Sequence, residues 1–180
     1  MLKVFLFCLL SPMISFTQET IDSTGRRAIE ITGSKISPGD AQAVLDHHNK
    51  ARNDLGIPPL TWSAGVAAYA QEWADSLANT NDCQLKHRDN RQKGYGENVF
   101  GGSSTSFKPL DASMAWYNEI KNYTYAKVDD SNWAKASHYT QMIWKNTKEV
   151  GLGMATCPGG AVVVVANYNP AGNYSGEFPY

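Results

Sequence analysis

Val150-Gly151-Leu152-Gly153-Met154-Ala155-Thr156, then Cys157-Pro158-Gly159-Gly160, then Ala161-Val162-Val163-Val164-Val165-Ala166 is the stretch on which the architecture turns. Proline and paired glycines mark a turn, and the apolar runs flanking it, residues 150–156 and 161–166, read as two strands. Val162 to Val165 is an unbroken β-branched run, which suits a strand covered on both faces rather than wetted on one. Helices on each side of a small, mainly antiparallel sheet would provide that cover. The expected fold class is α+β.

The helices lie upstream. Ser37-Pro38-Gly39-Asp40 reads as a helix start, with Ser37 as N-cap, Pro38 in the first turn and Asp40 against the positive helix end. Ala41, Val44, Leu45, His48, Ala51 and Leu55 follow at helical spacing, Gly56 stops the run, and Pro58-Pro59 makes the connection. A second helix is expected over residues 63–77, with a stripe of Val66, Ala67, Ala70, Trp73, Ala74 and Leu77. The Gly-rich, polar residues 94–108 read mostly as loop. Asp111 is expected to cap a third helix with Met114, Ala115 and Tyr117 facing inward, and Tyr139, Met142 and Ile143 suggest a short fourth. No internal repeat is visible.

A chain of 180 residues fits one domain, and 42% hydrophobic with 18% charged residues is ordinary globular composition. A net charge of −1 supplies no basic field, so nucleic acid is not an expected partner. Residues 1–17 carry an export signal: Lys3, the apolar run from Val4 to Leu10, and Ser15-Phe16-Thr17 as a small-x-small cleavage pattern. The apolar stretch is too short to anchor the chain in a bilayer, so a secreted, monomeric protein is expected. Residues 18–36 read as a flexible linker and 37–180 as the domain. Cys8 leaves with the signal, which makes Cys83 and Cys157 a candidate disulfide worth ~4 kcal/mol in the chain-entropy model.

Four ionisable residues, His87, Glu97, Glu119 and His138, are able in principle to bind a divalent metal such as zinc or to move protons. Their spacing carries no local metal signature such as His-Glu-x-x-His, and spacing alone reads them as separate surface residues. The motifs around them say more. His48-Asn49-Lys50-Ala51-Arg52, Gly96-Glu97-Asn98-Val99, Ser137-His138-Tyr139-Thr140-Gln141-Met142-Ile143-Trp144 and Asn167-Tyr168-Asn169-Pro170-Ala171-Gly172-Asn173-Tyr174 occur in that order. In content and order they resemble the signatures of the CAP superfamily, the cysteine-rich secretory, antigen 5 and pathogenesis-related proteins, in the style of its plant pathogenesis-related members.

The resemblance implies a three-layer α-β-α sandwich with a cleft holding two histidines and two glutamates, here His87, Glu97, Glu119 and His138. Glu97 and Glu119 would accept ring N–H bonds and fix the histidines; with a metal, the imidazoles would be ligands and the carboxylates ligands or orienters. The remaining motif residues, His48, Asn49, Arg52, Asn98, Gln141, Trp144, Tyr168, Gly172 and Asn173, have structural readings: His48 and Asn49 satisfying buried groups, Asn98 bonding across the cleft wall, Gly172 permitting a tight turn. Trp62, Trp73 and Trp116 join Trp144 as expected core.

Two departures from the family pattern stand out. Ala166 and Leu152 occupy the positions of the cysteines that usually pair with Cys157 and Cys83, so the two remaining cysteines bond to each other, after a shift of several ångströms, or stay free. The chain's last eleven residues, Pro170 onward, resemble a tail that plant members can release as a signalling peptide, although packing on the sheet edge is the plainer expectation. Functionally, the resemblance implies a non-enzymatic secreted module that binds a lipid, sterol or fatty acid in a defence or host-interaction role. Tyr117, Tyr123, Tyr125 and Trp133 are candidates to line an apolar groove. Alternatives are a metal-dependent hydrolase using the His/Glu cleft and a precursor of the C-terminal peptide.

Overall fold

The structure, a computed structural model, describes residues 28–80 and 83–180. The export segment 1–17 and residues 18–27 of the expected linker lie outside the described residues. Element order is α1 (Pro38–Asn53), β1 (Thr61–Trp62), α2 (Ala64–Thr80), β2 (Gly96–Gly102), α3 (Pro109–Tyr117), a 3-10 helix (Asn118–Asn122), α4 (Trp133–Met142), β3 (Glu149–Thr156) and β4 (Val162–Asn169). The strands form one sheet in the order β1-β3-β4-β2, antiparallel except for the short parallel pair of β1 with β3. Among the described residues no helix is long and apolar enough to cross a membrane.

The valine run sits where its composition demands. Val163 and Val165 pack with Ala70, Ala74 and Leu77 of α2, while Val164, Ala166 and Tyr168 point to the opposite face. There they meet Val44 and Ala51 of α1, Trp116 of α3, and Met142 and Ile143 at the end of α4. The result is three layers, with α2 alone on one side and α1, α3 and α4 on the other.

Strand β3 explains how close α2 lies. Its side chains alternate: Val150 and Leu152 face the large cluster, and Gly151, Gly153 and Ala155 face α2. A Cβ on Gly151 would strike the backbone of Ala67, and one on Gly153 the backbone of Gln71. Gln71 also completes the ladder where β3 has no further neighbour: its Oε1 accepts the Met154 N–H (3.1 Å) and its Nε2 donates to the Met154 carbonyl (2.9 Å). Asn49 does the same for Leu60, accepting its N–H at 2.7 Å and donating to its carbonyl at 3.0 Å. Both amides replace strand partners that the backbone lacks.

Arg52 lies wholly buried, and no carboxylate is bonded to it among the described residues. It donates to four backbone carbonyls, those of Pro58, Met142, Trp144 and Thr147, at 2.7–3.0 Å. Burial lowers its pKa to about 10, which leaves it charged at neutral pH. His48 is equally buried. Its Nδ1–H donates to the Val44 carbonyl (2.9 Å), so Nε2 accepts from the Tyr168 hydroxyl (2.9 Å), which in turn accepts from Asn98 Nδ2 (3.2 Å).

Several expectations need correction. Residues 94–108 are not loop throughout, because β2 occupies Gly96–Gly102 and pairs along its whole length with β4. Its Gly-rich sequence hid it; cross-strand pairing, not propensity, makes it a strand. Lys108 rather than Asp111 is the N-cap of α3, and Asp111 sits at the third helical position, accepting the Lys108 N–H at 2.6 Å. That shifts the buried face to Ala112, Ser113 and Trp116; Met114 is 47% exposed and Ala115 is exposed too. Helix α4 begins earlier than its apolar residues suggest, with a kink at Ala136. Trp116 and Trp144 are core, whereas Trp62 and Trp73 are half-buried and each donates its indole N–H to a carbonyl, of Thr32 and Lys86 respectively. Thr32 and Ile36, at the end of the stretch read as linker, are buried, and Lys35 N–H bonds to Gln71.

Cys83 and Cys157 form a disulfide with Cα atoms 6.0 Å apart, joining the segment after α2 to the β3–β4 turn. The residues after Pro170 start beside the sheet edge, where Ala171 N–H bonds to the Gly94 carbonyl just before β2 (3.0 Å). They then leave it for α4 and its flanking segments: Val128 N–H bonds to the Glu177 carbonyl, Gly176 N–H to the Val128 carbonyl, and Lys145 N–H to the Pro179 carbonyl, at 2.7–2.9 Å.

Two predictions follow from this packing. Gly153→Ala should destabilise the fold by about 3 kcal/mol, because backbone rather than a movable side chain blocks the new methyl; thermal or urea unfolding reads it. His48 is held neutral, its pKa lowered to about 3 chiefly by burial, and His47 is lowered in the same direction. The unfolded chain therefore takes up protons below pH ~6.5 that the folded chain refuses, and stability should fall as pH drops from there toward 3, by up to ~1.4 kcal/mol per pH unit for His48. Urea unfolding across that range, compared with His48→Gln, should show the variant losing this part of the slope.

Candidate functional site

The site is assembled from four separate segments. Strand β2 presents Glu97, whose carboxylate is almost fully enclosed, with 3% of the side chain exposed. Its Oε1 accepts from His87 Nδ1 (2.9 Å) and the Arg88 N–H (2.9 Å); its Oε2 accepts from Asn90 Nδ2 (3.1 Å) and Asn167 Nδ2 (3.3 Å). Four donors on one carboxylate offset the cost of burying it. They also fold residues 87–90 around the strand end. The bond to Glu97 raises the His87 pKa against the opposing pull of burial.

His138 is held from every side. The 3-10 helix after α3 presents Glu119, whose Oε1 accepts from His138 Nδ1 (2.6 Å) while Oε2 accepts the backbone N–H groups of His138 (2.9 Å) and Tyr139 (3.1 Å). The kink at Ala136 frees those N–H groups, so Glu119 caps the helix turn that restarts there. Asn98 Nδ2 donates to the His138 carbonyl (3.0 Å), and Asn173 Nδ2 to that of Ser137 (2.8 Å). The ring lies nearly parallel to Trp116, with centroids 6.4 Å apart.

His87, Glu97 and His138 line one cleft of about 570 Å³; Glu119 stands behind His138 rather than on the wall. Of the motif residues, Asn98, Gln141, Gly172 and Asn173 also line it, while His48, Asn49, Arg52, Trp144 and Tyr168 do not. Gly172 is there for a different reason than a tight turn: a Cβ would collide with Trp144 and the Gln141 amide, whose Oε1 accepts the Gly172 N–H at 3.0 Å. Trp133, expected in an apolar groove, lines this cleft, as do Ser137 and Tyr174 from the ends of the two C-terminal motifs; Arg88, Asp89, Asn90, Arg91 and Tyr95 line it without any sequence signal that singles them out. Tyr174 and Asn173 come from the C-terminal segment.

Each imidazole thus gives its Nδ1 proton to a carboxylate, and no hydrogen bond occupies Nε2 of either ring among the described residues. That is the arrangement in which an outer carboxylate orients a metal-binding histidine. Among the described residues no three metal-ligating side chains are gathered, and the oxygens of Glu97 and Glu119 are engaged. A cation here would have two imidazoles from the protein and its other positions open. No hydroxyl or thiol is hydrogen-bonded to either ring among the described residues.

Glu119→Ala should remove the cap and the ring anchor together, destabilising the fold by about 1–3 kcal/mol. Glu119→Gln should recover part of that, since an amide oxygen still accepts. Denaturant unfolding of the two variants checks it; equal stability of Glu119→Ala and the parent chain contradicts the capping role.

Comparison with known proteins places this geometry. Residues 45–168 match the Cysteine-rich secretory protein family, CAP. Pathogenesis-related protein 1A of Nicotiana tabacum is 38% identical over 174 residues, covering 97% of this chain and 99% of that one. Pathogenesis-related protein 1 of Arabidopsis thaliana is 36% identical over 156 residues, 83% of this chain and 91% of that one. Among solved structures, NaASP2 crystallised with Zn2+ has a TM-score of 0.72 at 26% identity, covering 81% of this chain and 86% of that one. BmVAL-1 gives 0.71 at 26%, covering 84% and 86%. With the sandwich, the paired His–Glu cleft and these relatives in hand, the chain belongs to the CAP family and is similar to its plant pathogenesis-related protein 1 members.

Proposed function

We propose that this chain is an exported, defence-related binding protein whose cleft holds a divalent cation such as zinc through Nε2 of His87 and His138, without catalysing a reaction. The single observation that carries the reading is the pair of rings, each with its Nδ1 proton committed to a carboxylate that is itself pinned. Bound there, the cation would supply a Lewis-acid centre with open positions for an oxygen donor of a ligand. Glu97 and Glu119 act as orienters, because their oxygens already serve other donors. The neighbour NaASP2 was crystallised with Zn2+, which lends the reading support from outside this chain. Export rests on the N-terminal signal pattern, the disulfide and the pathogenesis-related relatives.

A lipid, sterol or fatty acid is the second reading, with less in its favour. The aromatic residues named for it divide: Tyr117 and Tyr123 pack on Tyr139, Tyr125 stacks on Phe178, and only Tyr123 and Trp133 share a depression, of about 150 Å³. That is small against the roughly 300–1,000 Å³ of ordinary ligand pockets. Release of the C-terminal peptide would strip Gly172, Asn173 and Tyr174 from the cleft wall. Hydrolysis by a cation-held water is a third reading; no protein hydroxyl or thiol is bonded to either ring among the described residues to favour it.

Titration calorimetry with zinc chloride near neutral pH tests the main reading. The parent chain should bind, His87→Ala and His138→Ala should each weaken binding at least tenfold, and the double variant should bind nothing. Absence of binding by the parent chain, or an unaltered isotherm for the double variant, rules it out.

A further inference from the structure

We infer that the cleft takes a neutral saccharide chain, with Trp133 and Tyr174 as stacking faces; the inference rests on the reading of this cleft as the working site. Two large aromatic side chains on its wall are half in water, Trp133 at 48% and Tyr174 at 50% exposure. Trp133 opens α4 with its backbone N–H bonded to the Asp129 carbonyl, and the Tyr174 ring packs edge-on against buried Trp144, with centroids 6.1 Å apart. The indole N–H of Trp133 has no hydrogen-bond partner among the described residues. Wet aromatic faces beside a concave site are what a partner with an apolar face would cover.

The rest of the wall decides what that partner is. Asn90, Gln141 and Asn173 each engage their amide oxygen and one amide N–H within the protein, which leaves at most one N–H apiece, while the Ser137 hydroxyl and Nε2 of the two imidazoles have no partner among the described residues. An acyl chain or sterol laid over the cleft would cut those open groups off from water without replacing its hydrogen bonds. A sugar ring does not meet that conflict: its C–H face is apolar and its edge carries hydroxyls that both donate and accept. Charge narrows the class further. Arg91 is tied to Asp89 (2.6 Å), Arg88 to Glu72 (3.2 Å), and Glu97 is saturated by donors. Each guanidinium lining the cleft thus faces a carboxylate, Asp89 lines it as well, and no unpaired arginine is offered there to an acidic glycan among the described residues.

The test uses the full mature chain with cellohexaose, chitohexaose and laminarihexaose as neutral probes and polygalacturonate as the acidic control. Binding is followed by tryptophan fluorescence and calorimetry. At least one neutral probe should bind, Trp133→Ala and Tyr174→Ala should each weaken it about tenfold, and Trp133→Phe should retain most of it. Both positions are half-exposed, so circular dichroism should show the variants folded. Each titration is run with zinc and with a chelator. Zinc binding without any neutral saccharide overturns this inference and leaves the cation reading intact; saccharide binding without zinc binding does the reverse. Binding of polygalacturonate alone, or neutral-probe binding indifferent to both aromatic variants, also overturns it.

Discussion

The guanidinium of Arg52, shut inside the domain and shared among the carbonyls of Pro58, Met142, Trp144 and Thr147, is the constraint from which the rest of the structure hangs. A charge buried without a bonded carboxylate is tolerable only if its donors find oxygens, and four of the five donors of this guanidinium are matched by carbonyls from three chain segments. Those carbonyls lie where the backbone leaves regular structure: the link from α1 to β1, the end of α4, and the turn into β3. One side chain on α1 thereby fixes how α4 ends and where β3 begins. Because α4 carries His138 and β3 carries the glycine face on which α2 rests, both the cleft and the second helical layer inherit their position from it.

The cleft has the same logic on a smaller scale. Glu97 and Glu119 each do two things at once, bonding an imidazole and satisfying backbone N–H groups of the segment that holds it. Ring orientation and local backbone shape are consequently one constraint rather than two. Behind them, His48, Tyr168 and Asn98 continue the bonding from α1 through the core to the His138 carbonyl. A polar thread through an apolar layer is costly unless complete, and this one is complete between His48 and His138.

Much of this was legible before any coordinates, and the reasons differ by residue. Ser37-Pro38-Gly39-Asp40 announced α1 because capping chemistry is local, and the valine run announced a twice-covered strand because composition alone reports burial. Strand β2 was not legible: Gly96, Gly101 and Gly102 carry loop propensity, and only their pairing with β4 makes them a strand. The inward face of α3 was misplaced because moving its cap from Asp111 to Lys108 rotates the helix relative to its apolar residues. In the cleft, motif order pointed to the two histidines and two glutamates, while Asn90 and Tyr95 carry no motif and reach the wall only through the fold. Gln71 and Asn49 show the same limit, since nothing local reveals that an amide will stand in for a missing strand.

The cross-link between Cys83 and Cys157 has a consequence for how the two sides of the cleft are secured. It fastens the β3–β4 turn to a point four residues before His87, so one wall is tethered covalently. The other wall, with His138, relies on hydrogen bonds from Glu119, Asn98 and Asn173 alone. Opening that bridge would slacken one jaw and spare the other. The protein's gripping surface is in this sense half rivet and half clasp.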